Sequence, residues 1–496
     1  MAQSRPAPPS NHVRGSMRSP FTLSAFIALI LFGCKASAEP TRADAATARR
    51  IADSILAAQI EANGVPGMGA AVWRGGALVW SGSVGQADRE AQRPVTADTV
   101  FRLASVSKLF AVTAAAKLRE AGKLDTNAPI GPLLPWLPGR WPPITSAQLA
   151  AHISGLPHYQ PVDDGRGGHA FKSVREAVGL FQDRALLSAP GTRYEYSTWG
   201  ITLLSAVVEQ AAHRPYLDYL AAQITPGLKI GADRTGADPN ASVAYAFADD
   251  GRVVRAAPHD YSYSWGGAGL SATMPDLARW GGQILNGKVV SPATLDWMLT
   301  PAKLADGSDV REGRYAIGFG WRTLRDSDGQ RIAYHAGIAE GARSALALYP
   351  THGLAVSLGS NAIWVSAIEQ TAQMLAAPFL AGPLPTGVSA VGCPAWVTGY
   401  RGSYAGQEIS GSASFGLRDG LCTGTIALEP GNPFGAWLDS FPQRNASALA
   451  LIGVEPKRGG RFALVTPIGV YDLRSPDGRH YSAALGGSRM LTLTLQ

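Results

Sequence analysis

Hydrophobic residues recur every three to four positions in several stretches of the chain, which is the spacing of one buried face of an α-helix. Near the start, for example, Ile51, Ile55, Leu56 and Ile60 fall on one such face. The pattern predicts helices over residues 41–63, 109–118, 201–212, 277–285 and 367–375.

Other stretches have the short apolar runs and turn residues of β-strands. Residues 69–80 contain two such runs around Gly75-Gly76, which predicts a hairpin with a tight turn. Residues 332–361 contain three runs separated by turn residues, which predicts three consecutive antiparallel strands. Strands come first, helices follow and strands return, so the predicted class is α+β. We expect an antiparallel sheet closed by both ends of the domain and flanked by helices, with a helical region inserted.

The pattern changes near residues 382–395, where Gly-Pro-Leu-Pro and Cys-Pro interrupt the periodicity. Beyond this point, short alternating runs such as 423–428 and 490–495 lie between Gly, Asn and Asp turns. We therefore predict a main domain over 41–382 and a small all-β barrel or sandwich over 395–496.

The first 38 residues differ from the rest in charge. Arg5, Arg14, Arg18 and Lys35 supply more than half of the formal charge of +7, and no acidic residue accompanies them. No Lys/Arg-rich run follows later in the chain, so the charge distribution argues against nucleic-acid binding.

An apolar run over 21–32 follows Arg18, as in the hydrophobic region of a signal peptide. Two processing sites compete within the predicted leader, 1–38. Residues 31–34 resemble a lipoprotein box in which Cys34 would be acylated and attached to a membrane, whereas Ala-Ser-Ala at 36–38 fits ordinary cleavage. An uncleaved anchor is a third interpretation. Every one of them places the body outside the cytoplasm, in the periplasm or on a membrane facing it.

Beyond the leader the cysteines are Cys393 and Cys422. An oxidising compartment would allow them to form one disulfide, and two separate reduced thiols are equally consistent with the sequence.

One short motif could support covalent chemistry. Ser105 and Lys108 are three residues apart, and the helical spacing that follows places them on one face, near the first turn of the helix. A serine hydroxyl needs a base beside it to act as a nucleophile, and a buried lysine amine can serve. By itself, however, Ser-x-x-Lys is better explained by a helix-capping serine and a solvated lysine.

Two later segments change this interpretation. Tyr196 precedes the helix predicted over 201–212, where its phenol could move a proton. His335 and Gly337 lie at the start of the three predicted strands, and Gly337 would let a substrate backbone approach closely. Each residue taken alone is also consistent with an ordinary aromatic, sheet or turn position.

Together and in this order, the three segments resemble the serine β-lactamase and penicillin-binding-protein superfamily. The resemblance is closest to its class C-like branch of β-lactamases, D,D-peptidases, D-aminopeptidases and carboxylesterases. It covers about residues 45–380. It includes the stretches 65–72, 99–108, 144–157, 266–280 and 318–321.

The resemblance implies a role for each residue. Ser105 attacks a carbonyl carbon and becomes acylated, while Lys108 and Tyr196 share the base and acid duties. His335 contacts Tyr196 or a substrate carboxylate. The backbone N–H groups of Ser105 and Ile338 form the oxyanion hole. Water then releases the product, and neither a metal nor an organic cofactor is needed.

One position departs from the family's pattern, because Tyr196-Ser-Thr198 stands where the motif is usually Tyr-x-Asn. An asparagine amide can donate to a substrate carbonyl and also accept from the lysine, whereas threonine has one hydroxyl on a shorter arm. Thr198 is therefore a candidate substrate-binding residue, and it favours short esters and D-amino-acid peptides or amides over β-lactams.

The sequence thus predicts an exported serine hydrolase that cleaves an ester or amide in a small molecule or peptide. The alternative is a catalytically degenerate relative that binds cell-wall peptides or a partner protein. His152, His158 and His169 flank a loop with two aspartates, for which a polar surface loop is favoured over a metal site.

Overall fold

The computed structural model describes residues 43–233, 237–380, 382, 384–385, 387–441 and 448–496. The predicted leader, 1–38, with Cys34 and both processing sites, lies outside the described residues. Within the described ranges, no helix combines the length and apolar character needed to cross a bilayer.

Capping side chains mark the starts of several helices. Asp44 accepts a hydrogen bond from the backbone N–H of Thr47 at 2.8 Å, and Ser197 accepts one from Gly200 at 2.9 Å. The helices are α1 (Ala45–Asn63), α2 (Lys108–Glu120), α3 (Ser146–Ala150), α4 (Val174–Val178), α5 (Thr198–Ala212), α6 (Tyr216–Tyr219), α7 (Met274–Leu285), α8 (Pro292–Leu299), α9 (Ile368–Ala376) and α10 (Pro433–Asp439). The helices predicted from periodicity are α1, α2, α5, α7 and α9, with ends shifted by a few residues.

The longest strands of the main domain lie in its central sheet. They are β1 (Gly67–Arg74), β2 (Ala77–Asp88), β3 (Arg93–Pro94), β4 (Val100–Arg102), β5 (Ile230–Ala232), β6 (Tyr245–Phe247), β7 (Val253–Arg255), β8 (Leu270–Thr273), β9 (Arg311–Glu312), β10 (Tyr315–Ile317), β11 (Arg322–Arg325), β12 (Arg331–Ala339), β13 (Ala342–Tyr349) and β14 (Leu354–Ser360).

Strands from both ends of the main domain meet in one antiparallel sheet, as predicted. Its order is β3-β2-β1-β14-β13-β12-β11-β10-β9, so the early hairpin pairs with the last strand through β1 and β14. The turn of this hairpin is Gly75-Gly76, whose φ values of 60° and 91° suit glycine. A smaller sheet, β4-β8-β5, leads into the Ser105 segment.

The central sheet separates two apolar layers. Ala71 and Ala333 belong to the layer that contains residues of α2, α5 and α7, whereas Val72 and Tyr334 belong to the layer that contains α1 and α9. Because successive strand residues point to opposite faces, His335 shares the face of Ala333 and is directed toward α2.

The last hundred residues form a closed barrel, which decides between the predicted barrel and sandwich. Its strands are β15 (Gly399–Tyr404), β16 (Gln407–Arg418), β17 (Leu421–Ala427), β18 (Ala448–Gly453), β19 (Arg461–Thr466), β20 (Gly469–Arg474), β21 (His480–Ala484) and β22 (Met490–Leu495). Val465 and Val470 of the barrel pack in the same layer as α1 and α9. Cys393, before the barrel, forms a disulfide with Cys422 on β17.

Candidate active site

Ser105 lies in a short 3-10 turn, Ala104–Ser107, and α2 begins only at Lys108. The sequence had placed Ser105 near the first turn of this helix, and the structure adds that the turn that carries it is 3-10. Ala104 has a φ of 47°, a conformation that non-glycine residues rarely adopt. The tight turn leaves Ser105 partly exposed while Lys108 behind it is fully buried.

Two strands hold this turn in place. The N–H of Leu103 donates to the carbonyl of Leu270 at 2.9 Å, and the N–H of Leu270 donates to Ser107 Oγ at 3.1 Å. From the other side, Ser344 Oγ on β13 donates to the Leu103 carbonyl at 2.6 Å. The backbone around Ser105 is therefore fixed by both the small sheet and the central sheet.

Lys108 Nζ has three hydrogen-bond partners. They are Ser105 Oγ at 3.0 Å, Thr198 Oγ1 at 2.9 Å and the carbonyl of Gly267 at 2.8 Å. A neutral amine has two N–H bonds and one lone pair. When the N–H bonds point to Gly267 and Thr198, the lone pair faces the hydroxyl of Ser105. Burial lowers the pKa of Lys108, which favours this neutral form.

Tyr196 is the second proton carrier beside Ser105, and its phenol donates to Ser105 Oγ at 2.9 Å. The centroid of the Tyr196 ring lies 4.9 Å from Lys108 Nζ and 5.3 Å from the guanidinium carbon of Arg322. Burial by itself would raise the pKa of Tyr196, but the charge of Arg322 and that of Lys108 in its protonated form outweigh it and lower the pKa. The phenol of Tyr196 therefore loses its proton more readily than that of an ordinary tyrosine.

His335 lies on β12 and is almost completely buried. Its Nδ1 faces the carbonyl of Ala336 at 2.7 Å and must carry the proton, so Nε2 accepts from Arg322 Nη1 at 3.4 Å. Burial and the charge of Arg322 hold the pKa of His335 well below its usual value. The contact expected with Tyr196 is one of rings only, with centroids 6.3 Å apart.

Gly337 is required by the protein's own packing, and the close approach of a substrate backbone that the sequence suggested stays a prediction. A Cβ atom built at Gly337 would lie 2.2 Å from the Leu103 carbonyl oxygen and 3.0 Å from Ala104 Cβ. This close approach brings β12 against the turn that carries Ser105. The next residue, Ile338, is exposed. Its backbone N–H remains the predicted second donor of the oxyanion hole.

Thr198 is buried and begins α5 directly after Tyr196 and Ser197. Its hydroxyl accepts the hydrogen bond from Lys108, and its N–H donates to His158 Nδ1 at 3.3 Å. Threonine therefore preserves the contact to the lysine. The structure shows its contact with Lys108, and the substrate contact expected from the sequence stays a prediction.

Arg322 and His152 are parts of the site that the sequence reasoning missed. His158 and His169 are exposed, but His152 is buried. Its ring lies 4.6 Å from that of Tyr196, and its Nδ1 accepts from the N–H of Ser197 at 3.2 Å. The available signals were weak: His152 lies within the family-like stretch 144–157, and Arg322 directly follows 318–321.

Residues 52–362 match the family described as Beta-lactamase. The serine beta-lactamase-like protein LACTB of human mitochondria is 28% identical over 378 residues, covering 58% of this chain and 69% of LACTB. Esterase EstB of Burkholderia gladioli is 28% identical over 353 residues, covering 61% of this chain and 87% of EstB.

Among solved structures, the octameric penicillin-binding protein homologue from Pyrococcus abyssi aligns with a TM-score of 0.55 and 17% identity. The alignment covers 90% of this chain and all of that chain, so the similarity in fold extends into the C-terminal barrel.

Proposed function

The chain belongs to the beta-lactamase family, and from this premise we propose that it is a serine hydrolase that cleaves an ester or amide through an acyl-enzyme on Ser105. The observation that carries the proposal is the position of Ser105 Oγ, within hydrogen-bond distance of both Lys108 Nζ and Tyr196 Oη. A nucleophile in contact with two proton carriers is the arrangement that acyl transfer needs.

In acylation, Ser105 Oγ forms a bond to the substrate carbonyl carbon while its proton passes to the Lys108–Tyr196 pair. The carbonyl oxygen becomes an oxyanion facing the backbone N–H groups of Ser105 and Ile338. When the tetrahedral intermediate collapses, the bond to the leaving group breaks and the pair returns the proton to that group. Water then attacks the acyl-enzyme with the same groups as base and acid, which regenerates Ser105.

Short esters and D-amino-acid peptides or amides are the proposed substrates, ahead of β-lactams. The Thr198 hydroxyl is engaged by Lys108, and the position offers no side-chain amide to a substrate carbonyl. The relative EstB is described as an esterase, which agrees with this order. We further infer export, from the basic and apolar leader and from the Cys393–Cys422 disulfide.

The test is covalent labelling with a fluorophosphonate, read by mass spectrometry, together with hydrolysis of p-nitrophenyl esters, D-Ala-D-Ala peptides and nitrocefin. We expect one label per chain on Ser105, which Ser105→Ala abolishes together with ester hydrolysis. Ser83→Ala removes an exposed serine of β2 and serves as the matched control that keeps both. A folded wild type that takes no label and cleaves no substrate would refute the proposal.

A further inference from the structure

Arg322 brings a buried, charged side chain into the site. It begins β11, opposite Tyr334 of β12, and its side chain is only 16% exposed. Its Nε donates to Glu312 on β9 at 2.5 Å. Burial disfavours a charged guanidinium, but the hydrogen bond to Glu312 outweighs this and raises the pKa of Arg322 above its usual value. Arg322 is therefore a permanent positive charge.

The guanidinium contacts the proton-transfer groups through two surfaces. Its Nη1 donates to His335 Nε2 at 3.4 Å, which fixes the imidazole tautomer. Its face lies over the ring of Tyr196, 5.3 Å from the centroid. Because His335 is neutral, the positive charge on this side of Tyr196 belongs to Arg322.

The other groups that face Tyr196 come from separate elements. Lys108 approaches from α2, His335 from β12, His152 from the segment after α3, and His158 from the loop that follows it. None of these four groups is a carboxylate. The acidic group Glu312 contacts Arg322, on the guanidinium nitrogen next to the side-chain stem. Tyr194 is a further titratable group that interacts with both Arg322 and Tyr196.

We propose that Arg322 is a positioning residue whose fixed charge makes the Lys108–Tyr196 pair a base, by favouring the form of the pair that has lost one proton. This inference rests on the proposed function, since it explains how the same site generates its base. Arg322 acts here on the groups that take the proton from Ser105, so the substrate need not carry a charge.

Electrostatics sets the direction in which Arg322 changes the protonation of Lys108 and Tyr196. A positive charge opposes the protonated form of any nearby group, and Arg322 contributes to lowering the pKa of both Lys108 and Tyr196. Because the two groups share a hydrogen-bonded site, they titrate as a pair. Arg322 therefore favours the deprotonated pair whichever of the two groups receives the Ser105 proton.

The experiment is the pH dependence of kcat/KM for p-nitrophenyl acetate, an uncharged ester, so recognition of a substrate carboxylate cannot contribute. Arg322→Gln should move the acidic limb of the profile upward by about one pH unit, which is about a tenfold loss on that limb. Activity should recover toward the plateau at high pH. Arg322→Lys keeps the charge and should hold the limb within about 0.3 unit of the wild type.

Glu312→Gln is an independent variant for which the acidic limb is expected to shift in the opposite direction. It removes a negative charge but keeps a side-chain oxygen for Arg322, so the acidic limb should move downward. A merely structural role for Arg322 would lower kcat/KM equally at every pH in these variants. If Arg322→Gln does not fold, as judged by circular dichroism, the direction of the Glu312→Gln shift decides.

Failure of this inference is distinguishable from failure of the proposed function. A wild type that is labelled at Ser105, with an unshifted acidic limb in Arg322→Gln, overturns the role of Arg322 alone. A folded wild type that is neither labelled nor active overturns both.

Discussion

At the scale of single residues, the hydroxyl of Ser105 is held between an amine and a phenol, and each of these is set by its own partners. Lys108 is oriented by Thr198 and by the carbonyl of Gly267. The hydrogen bond to Thr198 satisfies a buried N–H that would otherwise be unpaired. Thr198 is therefore part of the machinery that presents the lysine lone pair to Ser105.

We expect Thr198→Val to lower kcat/KM for p-nitrophenyl esters by about 10- to 100-fold, because it removes the acceptor without changing the volume and leaves a buried donor unpaired, at a cost of about 1–3 kcal/mol. Thr198→Ser keeps the hydroxyl and is the matched control, expected within about threefold of the wild type. Steady-state kinetics at the plateau pH check this. Wild-type rates in Thr198→Val would remove Thr198 from the site.

At the scale of elements, the site depends on the contact between the turn Ala104–Ser107 and β12. Gly337 allows this contact because any side chain there would meet the Leu103 carbonyl. The hydrogen bonds from Leu270 and Ser344 hold the same turn from two sheets. The distance between Ser105 and the backbone of Ile338 is therefore determined by strand packing.

Gly337→Ala should push β12 away from the turn. A Cβ at 2.2 Å from a backbone oxygen cannot be accommodated without movement, and such overpacking costs about 1–3 kcal/mol. We expect kcat/KM to fall at least about tenfold, with a lower unfolding midpoint in denaturant.

Gly416→Ala in β16 is the matched control, since a Cβ there meets nothing within 4 Å. It should leave both activity and stability close to the wild type. Equal effects of the two substitutions would contradict the close-packing role of Gly337.

At the scale of the whole molecule, the barrel holds the end of the hairpin that carries the active-site strands. Between β11 and β12, the buried carboxylate of Asp328 contacts Arg474 and lies 3.1 Å from Arg461, both on barrel strands. Asp472 binds the same two arginines. The hairpin that delivers Arg322 and His335 to the site is thus anchored at its far end by the barrel.

Asp326 in this hairpin makes stability depend on pH. Burial and the nearby Asp328 raise the pKa of Asp326 to about 6. Between pH about 4 and 6 the folded chain therefore holds a proton that the unfolded chain has released, so this contribution to stability is lost as pH rises through that window. Above pH 6 the folded protein carries a buried, disfavoured charge.

Asp326→Asn removes that charge and can still accept from the N–H groups of Asp328 and Gln330. We expect the free energy of unfolding to increase by about 1–2 kcal/mol at pH 7.5 and to change little at pH 4.5. Urea denaturation at both pH values measures this. Asp306→Asn alters an exposed turn aspartate whose pKa is lowered, and should give no such gain. A gain independent of pH in Asp326→Asn would contradict the assignment.

The sequence by itself determined the elements and the order of the motifs. Helical periodicity marks α2 and α5, strand patterning marks β12 to β14, and the Gly75-Gly76 turn marks the first hairpin. These signals are local, because side-chain direction repeats with the period of the backbone. Ser105, Lys108, Tyr196 and His335 could be selected as one set because the segments around them resemble a known superfamily in the same order.

Only the tertiary structure decided which groups act on one another. Arg322, 13 positions before His335, meets it because β11 and β12 pair, and His152 lies beside Tyr196 because the loop after α3 packs against the start of α5. The turn at Ser105 is 3-10 because Leu103 is held by β8 and β13. Such contacts join residues distant in sequence, and charge, burial and pKa depend on them, so no local pattern encodes them.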